Sequence, residues 1–240
     1  MKTKRLWEID SLRGIAIVMM ILYHVLWALN FSGLINFPQI NTGLWRIFAY
    51  ATAFIFIFLV GVSLTLSYSN IKKTHENYLI KYLKRGLFVY SCGLIVTFAS
   101  YFLYQPNLVY FGILHFIGIG IILAMPFLNL KKMNLIIGST IIAAGILLYR
   151  TATHIPGFIL FGTSSTPTLD YFPVLPWFGV ILLGIFFGNL LYPDGKRTFK
   201  IQDIPFKESL AFLGRYSLII YFIHAVLIFG AIFIIKQFWL

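Results

Sequence analysis

Charge is scarce in this chain. Only 11% of its 240 residues are Asp, Glu, Lys or Arg, and only seven of those are acidic. A soluble domain carries about 25% charged residues, so this composition excludes an ordinary soluble globular fold. Cysteine is nearly absent: the single Cys92 excludes an internal disulfide and gives no metal-ligand spacing. The common soluble-enzyme signatures are missing too, with no phosphate-binding glycine loop followed by lysine, no paired-histidine zinc motif and no serine elbow. A flexible linker, a low-complexity tract and a clear internal repeat are also lacking, which leaves one domain over 1–240.

What is present is hydrophobicity. Sixty per cent of the residues are hydrophobic, and the mean hydropathy is +0.88. About seven apolar runs are long enough to cross a bilayer: 12–31, 44–67, 86–104, 109–128, 133–149, 173–192 and 214–235, the fifth being the shortest. The expected fold is an all-α polytopic integral membrane helical bundle of about seven transmembrane helices, antiparallel where connections are short. The start MKTKRLWEIDSLRG precedes an apolar run, yet that run carries His24 and Asn30 and lacks a small-residue cleavage site. It therefore reads as a retained first helix and not as a signal peptide.

The net charge of +12 reports topology rather than a nucleic-acid partner. With the N-terminus inside and the spans alternating, 16 of the 19 Lys and Arg residues fall on the cytoplasmic side, leaving Arg46, Arg150 and Lys236 outside. The positive-inside rule then expects a cytoplasmic N-terminus and an extracytoplasmic C-terminus. The cytoplasmic loop SNIKKTHENYLIKYLKRG sets Tyr78, Leu79, Tyr82 and Leu83 at helical spacing beside Lys81, Lys84 and Arg85. That is the pattern of an amphipathic helix at the headgroups, open both to anionic lipid and to a phosphorylated cofactor. The outer loop, from Arg150 to about Phe172, holds His154 and Asp170, the only acidic residue on that side. Asp170 either orients a substrate or a histidine, or caps the start of the sixth helix. Gly184 and Gly188 in GIFFG, and Gly118 and Gly120, read as points of close helix approach.

An ionisable side chain inside a span is costly to desolvate and marks a functional candidate. Arg13 and His24 lie on one face of the first helix, about 16 Å apart along its axis. They read either as the two ends of a reaction channel or as an interfacial anchor and a packing residue. His24 and His115 lie about 10 and 9 Å from the outer ends of their spans, so they are expected to share a level. His224 is nearer the midplane, behind Tyr221 and Ser217 on the same face, a row that is either structural or substrate-lining. Burial disfavours the charged imidazolium, which leaves a neutral His24 available as a general base. The first helix has no acidic residue near it, since the position one turn on is Ala28, and Asp10 is placed to pair with Arg13. A donor with an anionic end at Arg13 and the basic loop, and a long arm reaching His24, fits this pattern; coenzyme A has that form.

These residues also carry a resemblance. WEIDSLRGIAIVMMILYHVLW, FLVGVSLTLS at 58–67, FGILHFIGIG at 111–120, DYFPVLPWFGVILLGI at 170–185 and LGRYSLIIYFIH at 213–224 occur in this order. Together they resemble the heparan-alpha-glucosaminide N-acetyltransferase catalytic-domain family and its prokaryotic relatives among the transmembrane acyltransferases. The resemblance covers most of the chain. It implies transfer of an acetyl or other acyl group from cytoplasmic acyl-CoA, with acetyl-CoA the first candidate, to an extracytoplasmic amine or hydroxyl on an amino sugar or envelope glycan. It implies His24 as the base or acyl carrier and Arg13 as a donor-site residue. One departure stands at Ala28, where prokaryotic relatives often carry an aspartate.

The expected site therefore comprises His24, His115 and Asp170 as catalytic residues and Arg13, Lys72, Lys73, Lys84 and Arg85 around the CoA phosphates, with no metal. Expected partners are acyl-CoA, a sugar or glycan acceptor and the lipid bilayer of the cell membrane; a homodimer is left open, and no nucleic acid is expected. The rival reading is a proton-coupled transporter or flippase relaying protons through His24, His115 and His224, although no inverted repeat supports it. A third is an inactive scaffold descended from the enzyme.

Overall fold

The computed structural model describes residues 5–75, 77–103, 108–151, 168 and 170–239. Eight α-helices occur among them: α1 (Trp7–Phe31), α2 (Gly43–Thr74), α3 (Tyr78–Leu103), α4 (Ile113–Leu123), α5 (Met133–Thr151), α6 (Val174–Leu191), α7 (Lys207–Arg215) and α8 (Ser217–Trp239). The described residues contain no β-strand, and a lone parallel bridge pairs Phe111 with Tyr171. By length and hydropathy α1, α2, α3, α6 and α8 can each cross a membrane, while α4 and α5 are shorter apolar helices. The expected runs thus map onto α1 to α6 and α8, and the all-α membrane architecture stands.

Three local differences have physical causes. The run expected over 109–128 gives an α-helix of only 11 residues, because Gly112 enters it in an extended conformation and a 3-10 turn over Met125–Phe127 follows. Pro126 in that turn has no N–H to continue the helical ladder. The loop expected on the cytoplasmic side forms no separate amphipathic helix: α2 runs on to Thr74 and α3 begins at Tyr78. Between them His75 takes a positive φ of 54°, and the Asn77 side chain accepts from the N–H groups of Leu79 at 3.0 Å and Ile80 at 3.3 Å. Tyr82 is consequently buried in the second turn of α3, with Lys81, Lys84 and Arg85 exposed around it. The third difference is α7, a nine-residue helix just before the last span.

The chain divides into two compact units, one of Met1–Phe56 with Ile201–Leu240 and one of Ile57–Lys200. In the first, α7 lies across the start of α1. A side chain at Gly14 would fall on the carbonyl of Leu210, and one at Gly214 on the carbonyl of Asp10, so both positions must be glycine for the backbones to meet. The Ser11 hydroxyl donates to the Lys207 carbonyl at 3.2 Å, and Glu8, Asp10 and Ser11 are all buried. In the second unit α6 is the packing centre, with Phe178, Ile181, Leu182 and Ile185 buried. Gly184 faces Gly61 and the Phe58 carbonyl of α2, Gly179 faces Gly138 of α5, and Gly118 of α4 faces Gly86 and Tyr90 of α3. Gly188 abuts Thr65 and Gly120 abuts the Ile181 side chain, so the glycines of GIFFG and of the fourth run serve close approach as expected.

Candidate active site

Helix α1 carries two of the candidate residues, Arg13 and His24. Near its start the Arg13 guanidinium donates to Asp10 Oδ1 at 3.2 Å, the i,i+3 ion pair expected from the spacing. The Asp10 side chain is 8% exposed and that of Arg13 26%, so the carboxylate is the more sequestered partner. Farther along, His24 Nδ1 lies 2.8 Å from the carbonyl oxygen of Met20. A carbonyl can only accept, so Nδ1 carries the hydrogen and Nε2 keeps its lone pair. The ring is thus oriented from the main chain one turn earlier.

The partner of His24 comes from the other end of the sequence. His224 of α8 sets its ring 5.0 Å from that of His24, at an interplanar angle of 62°. Its Nδ1 lies 2.6 Å from the Tyr221 carbonyl, so His224 has the same tautomer and the same open Nε2. Tyr23 stands edge-on to His24 at 5.9 Å, and Tyr221 lies 5.6 Å from His224, giving the pair an aromatic frame. Tyr221 and His224 do share a face, as their spacing requires. Sequence reasoning missed both the Met20 carbonyl and the pairing of His24 with His224.

His115 and Asp170 belong to the second unit and have different surroundings. The Gly112 N–H donates to His115 Nδ1 at 3.3 Å, and Nε2 lies 3.2 Å from Thr97 Oγ1. Because the Thr97 hydroxyl itself donates to the Val109 carbonyl at 2.6 Å, His115 must be the donor to Thr97 and has the opposite tautomer to His24. Both of its nitrogens are occupied, and the ring packs against Gly93. Asp170 Oδ2 accepts from the Ile113 N–H at 3.0 Å. The carboxylate therefore caps α4; the helix whose start it was expected to cap, α6, has Pro173 at its N-cap. Burial pushes the Asp170 carboxyl up to about 6, against the pull of the Ile113 N–H, which favours the ionised form. His154 lies outside the described residues.

The other four expected phosphate-binding residues, Lys72, Lys73, Lys84 and Arg85, are exposed on the second unit. Lys72 donates to Asn129 Oδ1 at 3.2 Å and lies 4.6 Å from the centre of the Tyr68 ring, whose hydroxyl shares the same Asn129 oxygen at 2.9 Å. Lys73 donates to the Asp194 carbonyl at 2.8 Å. These partners are neutral. Lys84 and Arg85 are exposed in the second turn of α3. Among the described residues, no group of three or more His, Cys, Asp or Glu side chains is arranged to hold a metal ion.

Apolar helices of spanning length, with an imidazole inside one of them whose second nitrogen is open, define an integral membrane protein with a candidate reactive centre. Residues 5–226 match the family of heparan-alpha-glucosaminide N-acetyltransferase, catalytic, and the chain belongs to that family. The match encloses every residue of the expected site. No curated protein and no solved structure matches the chain. Family membership makes this a membrane protein of acetyltransferase type.

Proposed function

We propose that the protein transfers an acetyl or other acyl group from cytoplasmic acyl-CoA to an amine or hydroxyl on the far side of the membrane, on an amino sugar or envelope glycan. In this reading it lies in the cell membrane, with its N-terminus in the cytoplasm and its C-terminus outside, the orientation favoured by the charge distribution. The observation that carries the reading is the His24 tautomer. Its Nδ1–H is held by the Met20 carbonyl, so the basic Nε2 is presented in a defined direction. His24 removes the proton from the acceptor as it attacks the thioester, directly or after a transient acyl-histidine.

Arg13 is assigned to the anionic end of the donor, with buried Asp10 fixing the direction of its guanidinium. Lys72, Lys73, Lys84 and Arg85 attract the polyanionic nucleotide end of CoA to the cytoplasmic surface. His115 and Asp170 are assigned to holding the start of α4, because their hydrogen bonds are made within that structure.

The test follows CoA thiol release from acetyl-CoA by the purified protein, with glucosamine as the probe acceptor. His24→Ala is expected to lower turnover by about 10³-fold, within the usual range for loss of a general base. Equal turnover in wild type and variant rejects the role of His24. Absence of thiol release and of acylated product in the wild type, with both amine and hydroxyl acceptors, rejects the function.

A further inference from the structure

We propose that His224 is a positioning residue for His24, accepting a hydrogen bond from the proton that His24 takes up during transfer. The inference rests on the acyl-transfer reading above. Every turnover through a His24 base creates an imidazolium inside a membrane span, where an isolated charge is expensive. A carboxylate would be the usual remedy, and neither helix supplies one nearby. On α1, Glu8 and Asp10 precede His24 by about 24 and 21 Å along the axis, at 1.5 Å per residue. Their helix-mate Arg13 is cationic, and α8 has no acidic residue over Ser217–Trp239, its one charged side chain being Lys236.

What α8 supplies is a second imidazole in a matched state. The Met20 carbonyl holds the Nδ1–H of His24 and the Tyr221 carbonyl that of His224, leaving an acceptor Nε2 on each ring. Two acceptors cannot hydrogen-bond each other, so the neutral pair is in contact only through its ring faces and edges, 5.0 Å between centres. Once His24 Nε2 is protonated it becomes a donor, and the acceptor on the neighbouring ring, whose centre is 5.0 Å away, is the Nε2 of His224. The interaction is absent at rest and appears only in the charged state. An interaction made only on the way to the transition state raises kcat and leaves ground-state binding alone.

The step balances without any oxidant or reductant. The N–H or O–H proton of the acceptor passes to His24 Nε2 while the acceptor nitrogen or oxygen bonds to the acyl carbon. The carbon–sulfur bond breaks with its electron pair on the CoA sulfur. The proton held by the two imidazoles then goes to that thiolate, giving free CoA and the acylated acceptor.

The experiment compares His224→Phe, which keeps a ring and removes the acceptor, with His224→Gln, which keeps an acceptor oxygen. Acyl transfer from acetyl-CoA to glucosamine is measured for both in the full-length protein. The Phe variant is expected to lose about 10²-fold in kcat with the KM for acetyl-CoA nearly unchanged, and the Gln variant to recover about tenfold of that loss. A Phe variant with wild-type kcat overturns the proposal, as does an equal loss in both variants. If His24→Ala is inactive while His224→Phe is fully active, this inference alone fails; if His24→Ala is fully active, the reading beneath it fails. Should neither His224 variant fold, nitrogen NMR of histidine-labelled wild type decides the matter. Both rings are expected to show a protonated Nδ1 and a bare Nε2, and an Nε2–H tautomer at either ring overturns the proposal.

Discussion

His24 and His115 look alike in the sequence, each an imidazole within an apolar run, and they differ in what their nitrogens do. His115 accepts at Nδ1 from the Gly112 N–H and donates from Nε2 to Thr97, so its capacity is filled by the segment it helps to fold. His24 uses one nitrogen to fix its ring and turns toward His224, whose second nitrogen is also open. The difference teaches that depth in the membrane does not identify a reactive histidine. The accounting of donors and acceptors separates the two rings, because a ring with both nitrogens engaged must break structure before it can move a proton.

The comparison breaks most visibly in turnover. His24→Ala is expected to lower acyl transfer by about 10³-fold, while the same protein unfolds at an unchanged temperature in detergent. His224→Phe follows, with a loss of about 10²-fold confined to kcat. His115→Phe should do the reverse. It strands the Gly112 N–H and removes the bond that the Thr97 oxygen accepts, lowers stability by about 2 kcal/mol in thermal unfolding, and leaves turnover per folded molecule near wild type. If His115→Phe folds normally and loses activity as His24→Ala does, the distinction between the two rings is gone.

The smallest expected effect concerns Asp170, whose carboxyl is raised to about 6 by burial. A raised carboxyl pKa means that the folded state binds the proton more tightly than the unfolded chain. The stability it contributes is therefore full below about pH 4, the usual carboxylate range, and is lost as pH rises through about 6. Asp170→Asn keeps an acceptor for Ile113 and removes the ionisation. Its stability relative to wild type is expected to improve from pH 4 to pH 7 by about 1 kcal/mol, allowing for partial exposure. A thermal-unfolding difference that does not change with pH would remove the carboxylate from this account.

Much of the fold was legible because the bilayer imposes length and hydropathy on each crossing segment. The long apolar runs became α1, α2, α3, α6 and α8, and GIFFG met α2 where small residues are needed. Arg13 and Asp10 were legible as a pair since helical geometry alone puts i and i+3 together. By contrast α7 was hidden. Its nine residues include Lys207, Glu208 and Arg215, and what holds it against α1 is the absence of side chains at Gly14 and Gly214.

Within the candidate site, the orienting partner of His24 had no signal in the sequence. Every helical residue has a carbonyl four positions back, and only the side-chain rotamer decides whether Nδ1 uses it. The aspartate missing at Ala28 was therefore a poor guide to whether the ring is held, since Met20 holds it from the other side. Asp170 was likewise recognisable as a cap, but the bridge between Phe111 and Tyr171 brings it to α4.

By itself the sequence determined a helical membrane protein, the helices that carry Arg13 and His24, and the family, because these follow from composition, local periodicity and residue order. Only the tertiary structure decided that His224, from the far end of the chain, faces His24, and that His115 is fully engaged elsewhere. Local spacing governs neighbours on one helix, whereas the hydrogen-bonding state of an imidazole depends on groups that meet only after the helices have packed.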